Sequence, residues 1–466
     1  MFTPLLDPRS QRPLYEQIYG QIRAAIESGE LPPDARLPSK RALAAHLKVS
    51  VVTVEGAYAQ LLAEGYLRSE PKRGFFVQPL LPRPAAPPAP DPLPSSDPRP
   101  APLTYDFSTA GVDTTHFPFS TWAKLMREIL SLEDSGLLSA THPQGAPELR
   151  QAIVRYLHDF RGIQAQPEQV VVGAGSEYLT SLLFQLLGRE GGYAVEDPGY
   201  YKYHRILAHE GALICPIPLD EAGLRVDALG WSGARVAHVT PSHHFPLGTV
   251  MPVTRRRELL SWAMEREDRY IIEDDYDSEF RFSGRPIPAL QSLDTGGRVI
   301  YLNTFAKSLA PSLRIGYMVL PPRLLERYRA EFFFYSSTVP SFEQLTLARF
   351  LERGHFERHI ARMRNVYKAR RDALIRAAVD SGVAAPGSFA GADAGLHLLL
   401  RLPGPLDEGE LVRRAAEQGV GVYPLSSYCL TAPDPHRPPT LVMGYARLDA
   451  ADMAPAFRLL RRAWQS

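Results

Sequence analysis

The sequence predicts a multidomain chain: a small N-terminal α+β unit of three helices and a hairpin, then a large α/β domain with a mostly parallel sheet and a smaller C-terminal subdomain. Three observations carry this. Apolar residues recur every four positions at Leu14, Ile18, Ile22 and Ile26. Eleven of the 24 residues from Pro79 to Pro102 are proline. From Val170 to Leu320, short β-rich runs alternate with amphipathic stretches. At 466 residues the chain exceeds one compact core and suits two or three domains.

The four-residue spacing from Leu14 to Ile26 gives one face of a first helix, which ends near Gly29. Ser39 caps a short second helix through Leu43 and Leu47, and Ser50 caps a third. On that third helix Val54, Tyr58, Leu61 and Leu62 face inward. Two short apolar runs within Tyr66–Val77 flank Glu70-Pro71-Lys72-Arg73-Gly74 and form a hairpin or wing. The unit spans residues 1–78.

Residues 79–103 are a spacer. Proline has no amide donor and the segment holds few apolar side chains, so it can neither join a sheet nor bury a core. A semi-rigid polyproline segment of this length reaches about 70 Å at ~3.1 Å per residue. A disordered tether fits the composition too, and either places a domain boundary here.

Residues 104–466 hold the large domain. Val170–Val172, Tyr193–Val195, Val236–Thr240, Tyr270–Glu273, Val299–Asn303 and Gly316–Leu320 read as strands, with helical stretches such as 176–188 and 254–266 between them. That alternation points to a parallel sheet. The stretch from about 360 onward carries its own helices and strands.

Composition narrows the functions. The net charge of +1 gives no whole-chain bias toward nucleic acid, so DNA binding needs a local surface. Cys215 and Cys429, the only cysteines, form neither a disulfide framework nor a zinc cluster. No apolar run approaches membrane-spanning length, and the charged start MFTPLLDPRSQRPLYEQ does not read as a secretory signal. A cytoplasmic protein without a membrane partner is the expectation.

Helix, short helix, tight turn, helix and wing is the layout that sets a recognition helix in the major groove of double-stranded DNA. Donors for phosphates or bases are Arg36, Ser39, Lys40, Arg41, Ser50, Thr53, Lys72 and Arg73. Residues 1–78 carry ten Lys/Arg against eight Asp/Glu, and three-helix units of this kind also serve as protein-interaction modules. Residues 13–78 resemble a GntR-type winged helix, through Arg36-Leu37-Pro38-Ser39-Lys40-Arg41-Ala42-Leu43-Ala44, Val49-Ser50-Val51-Val52-Thr53-Val54 and Leu62-Ala63-Glu64-Gly65-Tyr66-Leu67. Family members often carry Arg after the serine; here it is Val51.

Four pieces of the large domain point to one ligand. Val170-Val171-Val172-Gly173-Ala174-Gly175-Ser176-Glu177 runs from a strand through a glycine turn into a helix, whose bare amides suit a phosphate. Ile271-Ile272-Glu273-Asp274-Asp275-Tyr276 sets acids and a phenol at a strand end, where a carboxylate can hold a pyridine nitrogen protonated. Lys307, just past a strand and among hydroxyls, can form an imine with an aldehyde if its pKa is depressed, and Arg314 can clamp a phosphate. The loop Glu196-Asp197-Pro198-Gly199-Tyr200-Tyr201-Lys202 offers an aromatic face for a flat ring. Taken singly, each also reads as a common turn, solvated acids, a surface lysine or packed tyrosines.

As a set they resemble the fold-type I, aspartate-aminotransferase superfamily over about 104–466. With the winged helix in front, the chain resembles a MocR-type regulator of the GntR superfamily. Thr240-Pro241-Ser242-His243-His244-Phe245-Pro246-Leu247-Gly248 and Asp274-Asp275-Tyr276-Asp277-Ser278-Glu279-Phe280-Arg281 add to the likeness. The resemblance implies that Lys307 holds pyridoxal 5′-phosphate (PLP) through an imine and that Asp274 pairs with the pyridine nitrogen. Tyr276 then contacts the ring oxygen, with His243 near it, and Tyr200 stacks on the ring. Gly175, Ser176, Glu177, Thr304 and Arg314 surround the phosphate.

One departure matters. Aminotransferases of this type hold the substrate carboxylate with an arginine near the C-terminus, where this chain reads Leu441-Val442-Met443-Gly444-Tyr445-Ala446, with Val442 in the arginine's place. The expectation is therefore a non-enzymatic transcription regulator that senses PLP or a PLP-linked amine and controls vitamin B6 synthesis. The resemblance implies a head-to-tail homodimer with each winged helix over the partner's large domain. An aminotransferase with an appended DNA-binding module is the alternative, and a cofactor-free interaction protein a third reading.

Overall fold

The computed structural model describes residues 3–7, 9–81, 103–132, 134–282, 284, 287–432 and 434–465. It divides into two compact units, Met1–Arg99 and Pro100–Ser466. Most of the proline-rich spacer expected at 79–103, residues 82–102, lies outside the described residues.

The first unit runs α1 (Leu14–Glu27), β1 (Arg36–Leu37), α2 (Lys40–Leu47), α3 (Val51–Ala63), β2 (Leu67–Glu70) and β3 (Gly74–Val77). Helices α2 and α3 start where hydroxyls cap them, whereas α1 follows Pro13 without a side-chain cap. Ser39 accepts from the amide of Ala42 at 3.2 Å, and Ser50 from that of Thr53 at 3.1 Å. Lys48 ends α2 in the left-handed region at φ 53° and makes the tight turn. Ile18, Ile22, Val54, Tyr58 and Leu61 pack into one core, whereas Leu62, expected inward, is only half-buried. The wing is the antiparallel pair β2–β3; β1, too short to leave a sequence signal, joins the far side of β3.

The second unit begins with β4 (Tyr105–Asp106), α4 (Phe119–Leu130), α5 (Pro147–Arg161), β5 (Val170–Gly173), α6 (Ser176–Leu187), β6 (Gly192–Asp197), α7 (Tyr201–His209), β7 (Leu213–Asp220), β8 (Gly223–Leu224) and α8 (Val226–Trp231). It continues with β9 (Ala234–Val239), α9 (Val253–Met264), β10 (Tyr270–Asp274), β11 (Val299–Thr304), β12 (Gly316–Val319), α10 (Pro322–Phe332), α11 (Ser341–Glu352) and α12 (His355–Asp380). The last part is β13 (Phe389–Ala390), β14 (His397–Arg401), α13 (Glu408–Glu417), β15 (Val420–Gly421), β16 (Tyr423–Pro424), β17 (Thr440–Gly444) and α14 (Ala450–Gln465).

Eight strands form the main sheet in the order β5-β12-β11-β10-β9-β6-β7-β8. The run β11-β10-β9-β6-β7 is parallel, and β12 lies antiparallel between β11 and β5. Buried on both faces, β5, β6 and β11 read as continuous apolar runs rather than alternating ones. Each run read as a strand in the sequence is one. A further strand, β7, carries Pro216 and Pro218 and has only the two-residue β8 beyond it, a place where missing amides are tolerated.

The parallel register brings the C-terminal ends of β5, β6, β9, β10 and β11 to one edge of the sheet, where open α/β sheets bind ligands. The smaller subdomain follows α12 and holds an antiparallel sheet, β13-β14-β17-β16.

Candidate functional site

At that edge lies a cleft of about 230 Å³. Nine of the ten residues expected around PLP line it: Lys307, Asp274, Tyr276, Tyr200, Gly175, Ser176, Glu177, Thr304 and Arg314. The tenth, His243, is 2% exposed and stands one layer back, its Nδ1 3.1 Å from the Tyr276 hydroxyl.

Lys307 sits in the turn that follows β11, and its Nζ donates to the carbonyl of Thr109 at 2.7 Å. Burial pushes its pKa down to about 8, against the nearby Asp277 carboxylate, which raises it; Lys202 lowers it further. An amine depressed in this way supplies more of its neutral, nucleophilic form at neutral pH.

Asp274 closes β10 and is mostly buried. Its Oδ2 is 3.4 Å from Nε2 of His238 on β9, and the His238 ring stacks on Tyr203 with centroids 3.6 Å apart. The aromatic stack fixes the imidazole that backs the carboxylate. Burial, then the charges of Asp277 and Asp274, holds the Tyr276 phenol protonated. Behind it, His243 Nδ1 faces the Asp277 carboxylate at 3.0 and 3.1 Å. Asp275 points away from the cleft and is locked in the core by an ion pair with Arg161 at 2.8 Å and by the Tyr301 hydroxyl at 2.5 Å. Adjacent acids at one strand end thus divide between cleft and core.

The corner around α6 suits a phosphate. Gly175, its N-cap, has φ 87° and ψ 173°, and a Cβ there would stand 3.3 Å from the Arg314 guanidinium. Gly316 pairs with Gly173 on one side and Thr304 on the other, so the ends of β5 and β11 are level across a single glycine of β12. Arg314 reaches across to the carbonyl of Ala174 and to Glu177, both at 3.1 Å. Burial would raise the Glu177 carboxyl, but hydrogen bonds from Lys202 and Arg314 outweigh it and hold it below its usual value. Glycine backbone, helix N-terminus, Ser176, Thr304 and a guanidinium fit a phosphate, and a depressed lysine beside a buried carboxylate fits a pyridine aldehyde.

Two lining residues, Phe245 and Tyr428, belong to a buried apolar cluster behind the cleft. Val442 is fully buried in β17 and packs with Phe245, Leu399, Leu425 and Tyr428. Arg447 is exposed, 3.2 Å from Asp106, and does not line the cleft. Among the described residues, Arg314 is the one guanidinium on the lining. Sequence reasoning did not select Thr109, Lys202, Phe245, Asp277, His397 or Tyr428, all of which line it. Lys202, Phe245 and Asp277 stand inside runs it quoted; the other three lie in segments without a local motif.

In the first unit, the starts of α2 and α3 lie together, tied by the Lys40–Glu55 ion pair at 2.6 Å. Arg36 flanks Gly74, which pairs with Glu70 next to the wing's turn, with Nε 3.6 Å from where that residue's Cβ would stand. Lys72 occupies the left-handed region at φ 63°, exposed at the wing's tip. Arg73 pairs with Glu70 and lies 5.6 Å from the Phe76 ring centroid. Arg41 is exposed; Ser39, Ser50 and Thr53 are occupied in part by capping, with Ser50 Oγ 2.7 Å from Thr53 Oγ1.

Residues 109–457 match the family described as aminotransferase class I and II, and residues 14–77 match bacterial regulatory proteins of the gntR family. The chain is 40% identical over 468 residues to the HTH-type transcriptional regulator YhdI of Bacillus subtilis, covering 99% of this chain and 98% of the relative. It is 36% identical over 481 residues to the probable rhizopine catabolism regulatory protein MocR of Rhizobium meliloti, covering 99% and 95%. It is 33% identical over 429 residues to the pyridoxine biosynthesis regulator PdxR of Corynebacterium glutamicum, covering 91% and 90%. Among solved structures, the multiple substrate aminotransferase of Thermococcus profundus superposes with a TM-score of 0.68 at 25% identity, covering 79% of this chain and 92% of that one.

The chain is thus a helix-turn-helix transcription regulator with an aminotransferase-type, PLP-binding domain. It belongs to the MocR type within the GntR family.

Proposed function

We propose that the protein is a PLP-responsive regulator: it grips DNA through residues 1–78, holds PLP through Lys307, and changes its DNA binding with cofactor occupancy. When bound, PLP supplies an aldehyde and an electron-withdrawing ring. Around it, Asp274 would pair with the ring nitrogen, Tyr276 would donate to the ring oxygen, and Ser176, Thr304 and Arg314 would hold the phosphate. Tyr200 would cover one face of the ring, while His243 steadies Tyr276 from behind. The eight donors from Arg36 to Arg73 would meet phosphates and base edges.

The observation that carries the sensor reading is Val442. Nine of the ten residues expected around PLP line the cleft, while Val442, where the resemblance puts a carboxylate-binding arginine, is buried in an apolar cluster. Such a pocket would hold PLP, and among the described residues its lining offers no guanidinium besides Arg314 to seat an amino acid's carboxylate. The signal is then PLP itself or an amine joined to it. The name of the PdxR relative supports vitamin B6 synthesis as the controlled process. The working assembly is a cytoplasmic head-to-tail homodimer with exchanged winged helices, and the spacer at 79–103 permits the exchange. Ligand-linked redistribution between domain arrangements would then reposition two DNA-binding heads.

The test is a footprint on the chain's own upstream region with and without PLP. A changed footprint or affinity is expected; identical ones would remove PLP as effector. One observation favours the second reading, an aminotransferase with a regulatory head: Lys307 has the depressed pKa that amine chemistry needs. Steady spectral turnover with an amino donor and a keto acid would establish it.

A further inference from the structure

The first turn of α3 presents an apolar pair that the core does not use. Val54, Ala57, Tyr58 and Leu61 are fully buried and define the helix's inward face. With 3.6 residues per turn, Val52 falls on the opposite side. It is 74% exposed, and Val51 beside it is 42% exposed. Neither serves the fold: β-branched residues are indifferent helix formers, and α3 is already capped by Ser50.

The surroundings are polar and cationic. Ser50 and Thr53 join their hydroxyls next to the pair, Lys40 lies across the first turn against Glu55, and Arg36, Arg41 and Lys72 are exposed on the same unit. An apolar spot in such a frame suits a polyanion with apolar points more than an apolar protein face. Duplex DNA offers one such point on a base edge. In the major groove each base shows a pattern of donors and acceptors, and thymine alone adds a methyl. Valine can neither donate nor accept, so it cannot read N7, O6 or exocyclic amines. A recognition helix puts its N-terminal residues against those edges.

We propose that Val51 and Val52 form an apolar reading surface for thymine 5-methyl groups in the major groove of each operator half-site. The inference rests on the DNA-binding reading and adds the base chemistry that the half-site must contain. It also gives the departure at Val51 a consequence: where an arginine would favour guanine, this chain favours an A·T pair with its methyl toward the protein.

Full-length protein is used to select binding sites from a randomised duplex pool. Each thymine of the selected half-site is then replaced by deoxyuridine, which removes the methyl alone. Kd is measured for the parent protein, Val52→Ser, Val51→Ser and Val52→Thr. Loss of one buried methyl, ~0.8 kcal/mol, corresponds to about a fourfold weaker Kd. The expected result is a loss of that size at one or two thymines with the parent protein. That sensitivity should disappear in Val52→Ser or Val51→Ser and persist in Val52→Thr, which keeps a methyl. Both positions are solvent-exposed on α3, and an unchanged thermal unfolding midpoint for each variant verifies that it folds. The proposal is overturned if no thymine is sensitive, or if sensitivity survives in both serine variants. Failure to enrich any sequence instead overturns the DNA-binding reading itself.

Discussion

Gly175→Ala probes the phosphate corner directly. The residue holds φ 87° and ψ 173°, a region that only glycine occupies without strain. Holding alanine there costs on the order of 1–3 kcal/mol. The added Cβ would also stand 3.3 Å from both Cζ and Nη2 of Arg314, closer than an unforced carbon contact. Two escapes exist. The turn can relax, tilting the first amides of α6, or Arg314 can swing away and give up its 3.1 Å bond to the Ala174 carbonyl. Either one spoils the phosphate site, so PLP affinity should fall by about tenfold, ~1.4 kcal/mol, or more. The assay is PLP titration followed by visible absorbance, with urea unfolding of the cofactor-free protein as a parallel measure of strain. Parent-like affinity together with parent-like unfolding would refute the reasoning, because the glycine would then be serving no close approach.

Other outcomes follow from the same geometry. PLP capture should quicken as pH rises toward about 8, where Lys307 loses its proton, and level off above it; Asp277→Asn, removing a charge that favours the ammonium, should move the midpoint lower, and an unmoved midpoint would dismiss Asp277. Burial raises the Glu196 carboxyl to about 8, opposed by hydrogen bonds from Thr240. The folded state therefore binds an extra proton between its ordinary 4.5 and about 8, and stability contributed below that window is lost as pH rises through it. Glu196→Gln should flatten this decline in urea unfolding between pH 5 and 9, and an unchanged slope would contradict it. Arg41→Ala should lower the dependence of log K on log salt by about 1, the signature of one lost phosphate contact; an unchanged slope would place Arg41 off the DNA.

Much of this was legible because local pattern decides it. The four-residue spacing of α1, the serines that cap α2 and α3, and the apolar runs of β5, β10 and β11 are set by neighbours in sequence. The cleft was half legible for the same reason. Gly175, Asp274 and Lys307 each sit at a strand end, and a parallel sheet collects strand ends at one edge. The rest depends on distant partners. Thr109 receives the Lys307 amine from 198 positions away, and no motif marks it. His397 and Tyr428 come from the smaller subdomain, whose strands are short. Local pattern alone left Asp274 and Asp275 alike, and only the resemblance singled out Asp274; Arg161, buried on α5, separates their fates. Strand β7 is hidden by its own prolines, and the donors Lys40 and Arg73 could be named without their acidic partners, Glu55 and Glu70.

The central claim is that occupancy at Lys307 is read out as DNA binding. Fluorescence anisotropy of a labelled duplex from the upstream region, recorded while PLP is added to the parent protein and to Lys307→Ala, tests it most directly. The account predicts a PLP-dependent shift in Kd for the parent protein and none for the alanine variant, which still binds the duplex. A parent protein whose Kd ignores PLP, or a variant that responds equally, would contradict it.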